Sequence, residues 1–115
     1  MATVIKTVNL KEDLPSVEQA RGRLLTEIQI ARQSGVKVLK VVHGYGSSGV
    51  GGDLRFALQA TLRKMVNDSE IRDCIYGEKW RTSDERTWAL LKHLPELKSD
   101  SDLGRGNRGI TIVLL

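Results

Sequence analysis

The stretch VKVLKVVHGYGSSGVGGD, residues 36–53, decides the reading of the fold. Val36–Val42 is rich in β-branched residues, which suit a pleated strand. It runs straight into a loop with five glycines in the ten positions His43–Gly52. Glycines cost chain entropy on folding, so a loop that dense implies a geometric need. Leu54, Leu58, Thr61, Leu62 and Met65 then recur at helical spacing. A strand, a glycine loop and a helix in that order place free backbone N–H groups and the positive end of a helix dipole beside the strand's carboxyl end. Such a place favours an anion.

Upstream, Val4–Leu10 reads as a first strand. Ser16 and Gln19 have the form of a capping box, and Val17, Ala20, Leu24, Ile28 and Ala31 mark one face of an amphipathic helix stopped by Gly35. Downstream, Ile71–Tyr76 is a short third strand. Trp88, Leu91 and Leu94 put a short extra helix over Asp84–Leu94, ended by Pro95, with Trp88 on its core face. The closing run ITIVLL, residues 110–115, suits a strand covered on both faces or central in a sheet. The expected architecture is an α/β two-layer sandwich: a small mixed four-stranded sheet, two main helices packed on it, and a short extra helix.

The chain has 115 residues, 40% hydrophobic and 28% charged, which suits one domain with its own core. A lone cysteine, Cys74, rules out an internal disulfide and is read as a buried strand residue. With no signal-like or membrane-spanning run, the expected compartment is the cytoplasm. The net charge of +4 suits a polyanionic partner without requiring one.

Four readings of the glycine loop compete. A P-loop needs lysine after Gly49, where the chain has Val50, and is rejected. Gly44, Gly46 and Gly49 fit a dinucleotide fingerprint, but a lone match is weak and the chain is short for two mononucleotide halves. The loop can instead cradle a phosphodiester backbone, or be a tight turn without a ligand.

His43-Gly44-Tyr45-Gly46 after a valine-rich strand resembles the HGxG motif of the Smr (small MutS-related) domain family. Gly109–Leu115, preceded by glycine and basic residues, is similar to that family's closing strand. Where the family carries an LDxH-type motif, this chain has Val8-Asn9-Leu10-Lys11, so Asn9 and Lys11 replace the usual aspartate and histidine. Residues 77–103, which hold both tryptophans, read as an insertion within a single domain spanning 1–115. The resemblance implies a fold like the C-terminal domain of translation initiation factor three. It also implies a bacterial-type domain that binds DNA or RNA and, in some members, acts as a nicking endonuclease or ribonuclease.

On the residues themselves, His43 is the tentative catalytic group, because an unperturbed imidazole exchanges protons near neutrality; the competing reading is that it only orders the loop. Asn9 cannot ionise, and Lys11 holds phosphate as a point charge, so binding is favoured over cutting. The candidate contacts are Lys11, His43, Gly44, Tyr45, Gly46, Ser47, Ser48 and Gly49, with Arg105 and Arg108 as bidentate phosphate ligands. Asn9 and the cluster Lys79, Trp80 and Arg81 are secondary, Trp80 as a stacking platform or a core anchor. Lys37 and Lys40 are expected to face solvent. Asp100 and Asp102 are read as a solvated acidic loop rather than a metal site, and no cofactor or metal is expected. A nucleotide-binding or protein-interaction module remains the further alternative.

Overall fold

The structure, a computed structural model, describes residues 4–12, 16–44 and 50–115. Strand β1 (Ile5–Asn9) is followed by helix α1 (Val17–Gln33), strand β2 (Val38–Val42), helix α2 (Val50–Asn67) and strand β3 (Asp73–Tyr76). Helix α3 (Glu85–His93) and strand β4 (Ile110–Leu114) complete the order, with 3-10 turns at Gly77–Lys79 and Pro95–Ser99. The sheet runs β1-β2-β4-β3. β1 and β2 are parallel, and β4 lies antiparallel between β2 and β3.

The local signals act as expected. The Ser16 hydroxyl accepts from the Gln19 N–H at 3.1 Å, and the Gln19 side chain accepts from the Ser16 N–H at 3.0 Å. Two otherwise free donors are thereby satisfied at the start of α1. Ala20, Leu24, Ile28 and Ala31 form its buried stripe. At its other end Gly35 takes φ 77°, and the Val36 N–H reaches back to the Ala31 carbonyl at 2.9 Å. That six-to-one bond needs a left-handed residue, which glycine adopts without steric cost.

Alternation along the strands builds two cores. Leu39 and Val41 of β2, Cys74 of β3 and Val113 of β4 meet α1 and α2, whose Leu24, Ile28, Leu54, Leu58 and Leu62 are buried. Val38, Ile75, Ile110 and Ile112 face the other way, against Trp80, Leu90, Leu91 and Leu97. The two main helices therefore cover one face of the sheet, and residues from 77–103 cover the second. This explains the unbroken apolar run of β4: it is interior to the sheet and buried on both sides. Each fully buried leucine or isoleucine contributes about 1.5–3 kcal/mol relative to exposure.

Two expectations are corrected, for Trp88 and Lys40, and the alternatives for Trp80 are decided. Trp88 is 47% exposed, because α3 buries Thr87, Leu90 and Leu91, and the residue after Thr87 is turned about 100° away on a helix. Trp88 instead carries the Lys92 ammonium 5.7 Å from its ring centre. Trp80 is fully buried, with its indole N–H donating to Asp100 Oδ2 at 2.9 Å; it anchors the second core and offers no face to a base. Lys40 does not face solvent. It is buried with Val38 and Val42 on the second face of β2, while Lys37, before the strand starts, is exposed.

Candidate functional site

The sheet edge where β1 and β2 end and β4 begins gathers the charged candidates. Beyond β1 the Asn9 side chain accepts from the Lys11 N–H at 3.0 Å, so asparagine turns the chain here. Beyond β2 the N–H groups of His43 and Gly44 both donate to the Gly109 carbonyl, at 2.9 and 3.1 Å. Gly44 takes φ 72°, and a Cβ placed on it would sit 3.5 Å from Lys11 Cδ. A Cβ on Gly109 would sit 3.4 Å from Gly44 Cα. The stem of Lys11, the Gly44 backbone and the Arg108–Gly109 step thus lie in mutual contact range, and the side chains of Lys11 and Arg108 are exposed.

Arg105, also exposed, shares a shallow depression with Arg108, lined as well by Ser101, Asp102, Gly106 and Asn107. The turn that carries the two arginines is held from within. The Asn107 amide donates to Asp102 Oδ1 at 3.0 Å, and its carbonyl oxygen accepts from the Gly109 N–H at 2.9 Å. Behind it, the Lys40 ammonium bridges Asp100 Oδ1 at 3.1 Å and Asp102 Oδ2. Asp100 and Asp102 are therefore not a solvated acidic loop: both carboxylates face the buried Lys40 ammonium. Among the described residues no group of three or more His, Cys, Asp or Glu could hold a metal ion.

His43 has no accessible surface. Its Nδ1 lies 2.6 Å from the Gly44 carbonyl, which can only accept, so Nδ1 carries the proton. Nε2 is then the acceptor of the Thr111 hydroxyl at 2.9 Å, and Thr111 Oγ1 in turn accepts from the Gln59 amide at 3.4 Å. Burial lowers the imidazole's pKa from its ordinary value; the Gly44 carbonyl and Glu78 oppose this and Arg55 adds to it. The ring is neutral at pH 7 with both nitrogens engaged. Such a ring fixes the Gly44 carbonyl and has no nitrogen free to move a proton. Because the unfolded chain takes up a proton near pH 6.5 and the folded one only below that, this arrangement stabilises fully above about 6.5 and loses its contribution on acidification.

Two further residues at this edge escaped the sequence reading. Arg55, in the first turns of α2, pairs with Glu78, in the turn after β3, at 3.5 Å. Arg55 Nε and Glu78 Oε1 are buried and lack a partner among the described residues. The only sequence cue was position: an arginine opening the helix behind the glycine loop, and an acid just past a strand end. Lys79 and Arg81 are exposed to either side of buried Trp80, whose carbonyl accepts from the Gly104 N–H at 2.8 Å. Tyr45, Gly46, Ser47, Ser48 and Gly49 lie outside the described residues. Among the described residues no helix is long and apolar enough to cross a membrane.

The family model of the Smr domain matches residues 13–92. The match begins after Asn9 and Lys11, which depart from the family's first motif, and ends before Arg105 and Arg108. Among solved structures, the chain is similar to the crystal structure of the Smr domain of Thermus thermophilus MutS2, with 22% identity and a TM-score of 0.59 over 96% of each chain. That likeness concerns the fold. No curated protein matches the chain. Since the model spans well over half of its length and carries the HGxG histidine at the edge just described, the chain belongs to the Smr domain family.

Proposed function

We propose that this sheet edge binds the phosphate backbone of DNA or RNA. Lys11, Arg105 and Arg108 supply the charge, close to the backbone at Gly44 and Gly109. The observation that carries the reading is the mutual approach of Lys11, Gly44 and Gly109, which sets exposed cations from two separate segments beside the end of β2. Arginine forks match phosphate oxygens, and a helix start adds a favourable dipole. Residues 77–103 act, on this reading, as an insertion that braces the arginine turn. Binding is favoured over cutting. His43 is buried with both ring nitrogens hydrogen-bonded, and Asn9 has no ionisable group.

Labelled single- and double-stranded oligonucleotides titrated at several salt concentrations test this. Affinity is expected to fall steeply with salt. Lys11→Gln and Arg108→Gln should each flatten the log–log slope by about 0.7–0.9 without altering sequence preference. Absent binding, or binding indifferent to salt, overturns the reading. Cleavage of supercoiled plasmid by wild type and not by His43→Ala would instead establish the nuclease alternative.

A further inference from the structure

A second basic region lies at the opposite edge of the sheet, where β2 begins and β4 ends. There the surface folds into a cleft of about 510 Å³. Its cations come from separate elements: Arg32 from the last turn of α1, Lys37 from just before β2 and Arg72 from just before β3; His93 from the end of α3 lines it as well. Leu90, Leu94 and Leu114 supply apolar lining, and no aspartate or glutamate lines the cleft.

Among the described residues, Arg32, Lys37 and Arg72 have no carboxylate within ion-pair distance, and Glu70 lines an adjoining depression with the two arginines rather than this cleft. Arg32 sits at a helix C-terminus, where a cation offsets the dipole by about 0.3–1 kcal/mol, and that accounts for it in part. It does not account for Lys37 and Arg72, which precede strands. Like charges gathered in one cleft repel one another, and an anion seated between them relieves that repulsion. The leucines beside them suit an apolar body attached to the anion, and the volume lies in the range of about 300–1,000 Å³ usual for small-ligand sites.

We propose that this cleft binds a small amphiphilic organic anion, a carboxylate or phosphate carried on a short apolar body. Arg72 and Lys37 hold the anion, with Arg32 beside them, and Leu90, Leu94 and Leu114 take the apolar part. The site is separate from the candidate nucleic-acid edge, because the five residues of β2 place about 17 Å between them.

The test is a nitrogen-15 NMR titration of the whole chain with octanoate, octyl phosphate, octanol and inorganic phosphate, each kept below its aggregation limit. Octanoate or octyl phosphate is expected to shift the amides of Lys37, His93 and Leu114, and octanol and inorganic phosphate to bind at least about tenfold more weakly. Tighter octyl phosphate identifies a phosphorylated ligand, and tighter octanoate a carboxylate one. Lys37→Gln and Arg72→Gln are surface changes and should each weaken the anion about tenfold. Octanol binding as tightly as the anions, an affinity unchanged in the Lys37→Gln/Arg72→Gln double variant, or shifts confined to Lys11, Gly44 and Arg108 would overturn the proposal.

Discussion

Lys40→Met is expected to lower folding stability by about 3–5 kcal/mol in urea denaturation. The methionine fills much of the same space, so the loss is electrostatic. Asp100 and Asp102, part-buried against Trp80 and Asn107, would lose the ammonium that both face. Adding Asp100→Asn and Asp102→Asn to that variant should restore most of the loss, because a neutral set no longer holds uncompensated charge. Burial alone would lower the Lys40 pKa, yet the bonds from Asp102 and Asp100 outweigh it and raise the value above 10.5. Lys40 in turn holds the Asp102 carboxyl below its ordinary 3.8.

The two signs bracket a pH window. Asp102's contribution is present above about pH 4 and fades on acidification, while Lys40's is present below about pH 10 and fades as the pH rises through its raised value. Both limbs should flatten in the triple variant. A single variant that stays within about 1 kcal/mol of wild type would show that the network carries little stability. Since Asn107 hangs from Asp102, Lys40→Met should also weaken oligonucleotide binding under conditions where the protein is still folded.

Gly77→Ala is expected to cost about 3 kcal/mol, measured the same way. A Cβ there would lie 1.7 Å from the Asn107 carbonyl oxygen and 2.8 Å from the Ile110 carbonyl oxygen. Both are main-chain atoms, so no side-chain rotation relieves the overlap, and the turn after β3 must move away from the start of β4. That movement would also displace Asn107, which holds the Gly109 N–H. The control is Gly22→Ala in α1, where a Cβ meets nothing within 4 Å. It should stabilise the protein by about 0.5–1 kcal/mol, because alanine is the better helix former. If both substitutions act alike, the close approach at Gly77 is not what requires a glycine there.

What was legible in the sequence was local or periodic. The capping box of Ser16 and Gln19, the stripe of α1 and the two-sided burial of β4 each follow from a pattern within one element. The tryptophans were not legible in this way. Trp80 follows a 3-10 turn too short to show a period, and it is buried because Asp100 lies ready, twenty residues on, to take its indole N–H. The placement of Lys40 could have been found, since strand alternation puts it on the face of Val38 and Val42 and away from Leu39 and Val41. Its acidic partners could not, because they lie sixty residues away in a segment without regular pattern. At the candidate edge, Lys11, Gly44 and Arg108 were readable as residue types. Their proximity arises from strand order and from two hydrogen bonds to one carbonyl.

The interior position of β4 has a consequence for biosynthesis. Among the described residues β3 pairs only with β4, and both cores draw residues from β4. While a ribosome is still making residues 77–109, the nascent chain can pair β1 with β2 and dock α1 and α2, but β3 has no neighbour. Trp80 then lacks the Ile110 and Ile112 wall that it packs near. The final register, and with it the setting of Arg105 and Arg108, waits on a segment that leaves the exit tunnel last among the strands, so a stalled or clipped product ending before Ile110 would expose an unpaired strand and be an early substrate for chaperones and proteases.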